Sequence, residues 1–327
     1  MKALSLLSGG LDSILATKII QDQGIEVEAL SFTSPFFTAD KAVRAAQKLG
    51  ISFHTEDITK EILSLVKSPP HGFGKGANPC IDCHILMVKK AAALMPKVRA
   101  SFLITGEVLG ERPKSQNRWA LGVIGEESGW GDYLLRPLTA KNLPPTLPER
   151  KGWVNREKLF AIKGRSRRPQ LKLAGEMGIE KFPTPAGGCL LTDPIFSQKL
   201  KDLLIRGKIN LNEIELLKVG RHFRLGPNSR LVVGRNEKEN RRLLELTTPD
   251  DFCLQVASFQ GPISILRGEI DEKTLLKAAS TTCRYSDAPE DGARVEYYRV
   301  SRKEKKYLEV VPLKDKELEM LRMGRRL

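Results

Sequence analysis

The sequence is short of the residues that build secreted, membrane-bound or base-stacking proteins. Aromatic residues make up 6% of its 327 positions, too few for many stacking platforms. Five unevenly spaced cysteines do not form the disulfide framework of a secreted domain. Of the four histidines (His54, His71, His84 and His222) only His84 lies beside a motif, so no acid–base histidine stands out. Long hydrophobic runs are missing too. The opening apolar stretch, Ala3 to Leu7, runs straight into glycines and is too short for a signal-peptide core or a membrane span. A cytoplasmic protein without a membrane contact is expected. Acidic residues are the last shortage: 39 Asp and Glu face 54 Lys and Arg, a net charge of +15 that points to a polyanionic partner. The excess is densest from Arg136 to Lys172, where eleven Lys and Arg meet only Glu149 and Glu157.

What is present reads as α/β. The strand Ala3–Leu7 meets a glycine turn, and a helix pattern from Leu11 to Gln23 places Ile14, Leu15, Ile19 and Ile20 on one face. A strand (Val27–Phe32), a helix (Ala39–Leu49, closed by Gly50), a strand (Ile51–His54) and a helix (Ile58–Val66) follow. Beyond a Pro/Gly-rich loop, Lys67 to Pro79, comes a helix from Ile81 to Leu94 and a strand from Ser101 to Thr105. Strands separated by helices need crossovers, which gives a doubly wound parallel sheet covered on both faces. Ligands of such sheets bind at the carboxyl ends of the strands, where every motif below falls. The stretch Pro137–Pro148 and the segment Phe182–Asp193 read as loops, with a basic helix near Ser166–Met177 between them. From about Ile195 the pattern changes to helices and short strands, including a hairpin over Phe223–Val233 that turns at Gly226-Pro227-Asn228-Ser229. Two domains are expected: a catalytic one over 1–195 and a smaller, basic α+β one over 196–327.

The most specific motif is Ser8-Gly9-Gly10-Leu11-Asp12-Ser13, between an apolar strand and a helix. The glycines let the backbone approach an anion, the helix start supplies N–H groups, and the serines add hydroxyl donors. Asp12 makes a poor phosphate neighbour and is expected to hold Mg²⁺ or to cap the helix. This hexapeptide resembles the pyrophosphate-binding loop of the N-type ATP pyrophosphatases, the PP-loop superfamily with a HUP-like fold. Members of that superfamily cleave ATP between the α and β phosphates and form adenylated intermediates. Thr105-Gly106-Glu107-Val108-Leu109-Gly110, followed by Ser115-Gln116, is similar to the corresponding stretch of the 4-thiouridine synthases. The resemblance covers roughly residues 1–195 and implies that Ser8, Gly9, Gly10, Leu11, Asp12, Ser13, Phe32 and Gly106 border ATP. It departs from the bacterial 4-thiouridine synthases in that the phosphate loop begins at residue 8. No RNA-binding domain is therefore expected ahead of it and no rhodanese-like domain behind, so target choice and sulfur delivery differ.

Replacing a carbonyl oxygen by sulfur needs a nucleophilic sulfur near the adenylated oxygen. Cys80 and Cys83 form a C-x-x-C at a helix start, and Cys189 lies 106 residues beyond Cys83 in a glycine-containing loop. Related thiouridine synthases place cysteines comparably. The resemblance implies that Cys80, Cys83 and Cys189 ligate a [4Fe–4S] cluster whose open iron takes sulfide. A persulfide and disulfide route between Cys189 and one of the pair stays open, as does structural zinc with His84 as a fourth ligand. Cys253 and Cys283 are expected in the smaller core.

Lys163, Arg165, Arg167 and Arg168 are the expected grip on tRNA near the reaction centre. Arg136-Pro137-Leu138 resembles the R-P-L that follows the fifth strand in these enzymes. The run Val233-Gly234-Arg235-Asn236, continued by Glu239-Asn240, resembles a signature of the RNA-binding region in the fibronectin-binding/ribosome-quality-control family, with Arg235 and Asn236 as contacts. The sequence reading is thus an ATP- and Mg²⁺-dependent tRNA sulfurtransferase that makes 4- or 2-thiouridine. Its sulfur donor would be sulfide or a cysteine desulfurase. An amidating or lysidine-forming ligase of the same superfamily, or a noncatalytic nucleotide-regulated RNA-binding protein, would explain the phosphate loop but give the cysteines no task.

Overall fold

The structure, a computed structural model, describes residues 1–179, 182, 188–207 and 209–324. The chain divides into two compact units, Met1–Leu190 and Leu191–Leu327.

The first unit runs β1 (Lys2–Leu6), α1 (Leu11–Gln21), β2 (Glu26–Thr33), α2 (Asp40–Leu49), β3 (Phe53–Asp57), α3 (Thr59–Lys67), α4 (Cys80–Val98), β4 (Phe102–Ile104), α5 (Arg118–Ser128), β5 (Leu134–Leu135), α6 (Leu147–Arg150) and α7 (Arg168–Glu176). Its sheet has the order β3-β2-β1-β4-β5, with every pairing parallel. One face is covered by α1 and α7 through Leu15, Ile19, Leu173 and Ala174, the other by α4 and α5 through Ile85, Val88, Ala120 and Ile124. This is the doubly wound α/β sheet that the alternating pattern predicts. Strand order reverses between β1 and β4, which opens a crevice at their carboxyl ends.

Three elements differ from expectation for local reasons. α1 is buried nearly all round, because α7 lies across the side that a two-layer packing would leave wet. β3 starts at Phe53 rather than Ile51, since the Ile51 amide still donates to the Ala46 carbonyl and closes α2 behind the left-handed Gly50. α4 continues past Leu94 through Pro96 to Val98, held by the buried Met95 and Val98, and stops at the left-handed Arg99.

The second unit contains α8 (Pro194–Ile205), α9 (Leu211–Leu217), β6 (Arg221–Gly226), β7 (Ser229–Val233), α10 (Glu237–Glu245), β8 (Phe252–Val256), β9 (Ser264–Gly268), α11 (Glu272–Arg284), β10 (Ala293–Arg299), β11 (Lys306–Val310) and α12 (Asp315–Leu321). Its antiparallel sheet has the order β11-β10-β8-β9-β7-β6. Alternate residues of the strands face α11 on one side and α9 and α10 on the other. Cys283 lies in the first of these cores and Cys253 in the second. No helix among the described residues is long and apolar enough to cross a membrane.

Candidate active site

The loop Ser8–Ser13 occupies the crevice between β1 and β4. Gly9 has a positive φ of 75°, and a side chain there would collide with the Lys41 and Ala42 backbone in the first turn of α2. Gly10 stands at the start of α1, whose first turn receives no side-chain cap, so its N–H groups stay available to an anion. Ser13 Oγ donates to the Gly10 carbonyl at 2.8 Å and lies 3.2 Å from Ser8 Oγ, which ties the loop into one turn. Gly106, two residues past β4, lies against this loop: an added Cβ would strike the Ser13 amide nitrogen and the Asp12 carbonyl carbon. Leu11 is buried in the core beneath the turn. Phe32, at the end of β2, is only 5% exposed and packs with Leu30, Ile58 and Ile81.

Asp12 does not cap the helix. Its side chain is mostly enclosed, its Oδ1 is buried with no partner among the described residues, and its Oδ2 is 3.9 Å from the Arg167 guanidinium. Burial raises its pKa, against the pull of Arg167 and Arg112. Glu111 repeats the pattern. Its Oε2 is buried and unpartnered, and its pKa is raised first by burial and then by the charge of Asp12. Two half-desolvated carboxylates with orphaned oxygens beside a phosphate-type loop suit a divalent cation. Sequence reasoning missed Glu111, although it directly follows the Thr105–Gly110 stretch.

The same stretch carries a second missed feature. Glu107 is buried and takes hydrogen bonds from Arg136 Nε at 2.8 Å and from Thr105 Oγ1 at 3.1 Å; its other oxygen is 2.8 Å from His84 Nδ1. Burial alone would raise its pKa, but Arg136 and the His84 hydrogen bond outweigh it and lower the value to about 2. A fixed carboxylate thus links α4, the end of β4 and the end of β5.

Cys80, Cys83 and His84 follow one another along the first turns of α4. Asn78, held by its contacts with the Gly74 and Gly76 amides, donates from Nδ2 to Cys80 Sγ at 3.0 Å. Cys83 is half-buried as a residue, while its thiol is desolvated. Burial raises the thiol pKa strongly, and the neighbouring Cys189 and Cys80 add to that rise. Burial therefore outweighs the pull of the helix start on the Cys83 thiol. Cys189 is brought in by the next residue, since the Leu190 amide donates to the Phe36 carbonyl beyond β2 at 2.9 Å. Of the loop read from Phe182 to Asp193, residues 183–187 lie outside the described residues. Among the described residues no three His, Cys, Asp or Glu side chains lie close enough to hold a single metal ion. Cys189 and Cys80 are the two thiols whose charge acts on Cys83.

The basic candidates separate. Lys163, Arg165 and Arg168 are exposed, whereas Arg167 turns toward Asp12. In the second unit, Arg235 is engaged by Glu239 through its backbone amide and its guanidinium, and the Asn236 side chain accepts the Glu239 amide at 3.0 Å to start α10. A side chain at Gly234 would strike Asn240 Oδ1, which accepts the Ile263 amide. Within the folded unit the run also starts α10.

Two families match. The one described as "Thiamine biosynthesis protein (ThiI)" matches residues 1–142, and the one described as "NFACT protein RNA binding domain" matches residues 220–322. These are the two resemblances carried by the motifs. A "Probable tRNA sulfurtransferase" of Geobacillus kaustophilus (strain HTA426) is 31% identical over 148 residues, 42% of this chain and 35% of that protein. One from Thermoanaerobacter sp. (strain X514) is 34% identical over 119 residues, 34% of this chain and 30% of that protein. The chain thus spans about a third of the length of the curated relatives it matches. A solved 4-thiouridine synthetase–RNA complex with bound ATP is 19% identical, covers 54% of this chain and 51% of its own, and has a TM-score of 0.35, too low to bear on the reading.

Proposed function

We propose that the chain is an ATP-dependent tRNA sulfurtransferase of the thiouridine-forming type. The likeness of residues 1–142 to the ThiI family, and of part of the chain to longer relatives named tRNA sulfurtransferases, supports ATP use and a tRNA substrate. The observation that carries the reading is the gathering of three thiols on a scaffold tied to the phosphate loop. Cys80 and Cys83 sit on α4 beside His84, His84 is bound to Glu107, and the neighbouring Gly106 presses on Ser13.

In this mechanism the Ser8–Ser13 backbone and the start of α1 receive the ATP phosphates. Mg²⁺ held by Asp12 and Glu111 would supply charge neutralisation at the phosphates. A uridine carbonyl oxygen attacks the α-phosphate and pyrophosphate leaves. Sulfide then attacks the activated carbon, and AMP departs with the original uridine oxygen, so no outside oxidant or reductant is needed. A [4Fe–4S] cluster on Cys80, Cys83 and Cys189 would supply a binding point for the incoming sulfide. The exposed Lys163, Arg165 and Arg168 would draw tRNA phosphates toward the site, with a second hold in the C-terminal unit. An amidating ligase would leave the three thiols without a role.

The test incubates the full chain with ATP, Mg²⁺, sulfide and unmodified tRNA, then digests the RNA to nucleosides. A 4- or 2-thiouridine is expected; an amidated or lysine-bearing nucleoside instead would overturn the proposal.

A further inference from the structure

We propose that the C-terminal unit contains a built anion pocket, between α8, the β6–β7 hairpin and the end of β9, that takes a single phosphoryl group. The RNA-binding reading of this unit bears only on where that group comes from; the pocket is argued from its own geometry.

The cleft measures about 40 Å³. A water needs roughly 10–15 Å³ on that measure, so the space suits the oxygens of one phosphate and is too small for a base. Arg206, Arg224, Arg230 and Arg267 line it, with Glu213 as the one carboxylate. Arg267 is saturated by Asp251, Asn212, Glu213 and the Leu246 carbonyl and serves as a wall. The other three have donors to spare. Arg230 is 3% exposed and bonds Glu213 through Nη2 alone, while its Nε and Nη1 are buried with no partner among the described residues. Arg224 bonds Asp202 and the Ser229 carbonyl and leaves its Nε unpartnered. Arg206 bonds the Pro227 carbonyl, with its Nε buried 3.5 Å from Asp202 and not hydrogen-bonded.

Buried guanidinium donors without acceptors are strongly unfavourable even where a carboxylate already offsets the charge. Burial, followed by repulsion from neighbouring arginines, depresses the pKa of both Arg224 and Arg230 despite their carboxylate partners. A tetrahedral anion with several acceptor oxygens can take more of the spare donors than one carboxylate can. The rim is rigid. Gly268 has a φ of 115°, and a side chain there would strike the Asn228 carbonyl, so the hairpin tip sits directly on the end of β9.

The experiment follows the thermal midpoint of the full chain with rising inorganic phosphate at constant ionic strength, against chloride. The variants Arg206→Gln and Arg224→Gln lie at the rim; Arg230→Met also leaves Glu213 with Arg267 alone and lowers stability by itself, so the rim variants carry the test. The phosphate loop of the first unit responds equally in wild type and variants, so the difference reports this cleft. A saturable rise whose apparent phosphate affinity weakens about tenfold in each rim variant is expected. Phosphate no better than chloride, or an identical response in wild type and both variants, overturns the proposal. Neither tRNA nor ATP is used, so failure here is separate from failure of the thiolation reading. A competing oligoribonucleotide that displaces phosphate only when 5′-phosphorylated assigns the pocket to a chain end. One that competes either way assigns it to the backbone, and one that never competes leaves free phosphate as the ligand.

Discussion

Arg136 donates to the Glu107 carboxylate at 2.8 Å, both side chains being buried, so the carboxylate stays ionised down to about pH 2. Its folded pKa lies below the ordinary value of 4.5, so its contribution is complete above that pH and is lost as pH falls toward 2. The difference corresponds to about 3 kcal/mol. Urea unfolding of wild type is expected to weaken across that window, and Glu107→Gln to flatten the slope there. An unchanged slope would remove the ion pair from the account.

Gly106→Ala is expected to abolish ATP binding. The added methyl group has no room beside the Ser13 amide and the Asp12 backbone, so the phosphate loop must shift. Calorimetric titration with ATP checks this, and wild-type affinity in the variant would contradict the packing.

Asp12→Asn and Glu111→Gln each remove one oxygen charge from the proposed cation site. AMP formation should fall on the order of 100-fold in each, the scale for losing one group that stabilises charge in a transition state.

Asn236→Ala is expected to lower the stability of the full chain by about 1 kcal/mol, the usual cost of a lost helix N-cap. The cap bond to the Glu239 amide motivates this. Chemical denaturation measures it, and a neutral result would remove the cap from the account.

The sheet was legible because alternating apolar strands and helices leave few other architectures, and the phosphate loop because glycine, hydroxyl and helix start recur together. The Glu107 network was not. Its members His84, Glu107 and Arg136 are separated by more than twenty residues, and only the strand order brings them into contact. Glu111 was hidden for a related reason, since only the fold shows that its carboxylate is desolvated and lies within reach of the Asp12 charge. Arg235 and Asn236 show the converse. A run that reads as a recognition signature also makes hydrogen bonds to its own helix start, which the pattern alone does not reveal. The arginine cluster of the second unit was likewise invisible, because Arg206, Arg224, Arg230 and Arg267 come from four separate segments.

The most direct measurement counts thiouridine formed per AMP released, in wild type and in Cys189→Ala, under anaerobic conditions with sulfide as donor. The account predicts about one thiouridine per AMP for wild type. It predicts none for the variant, which still binds ATP and tRNA. AMP release by wild type with no sulfur entering any uridine, or full thiolation by Cys189→Ala, would contradict it.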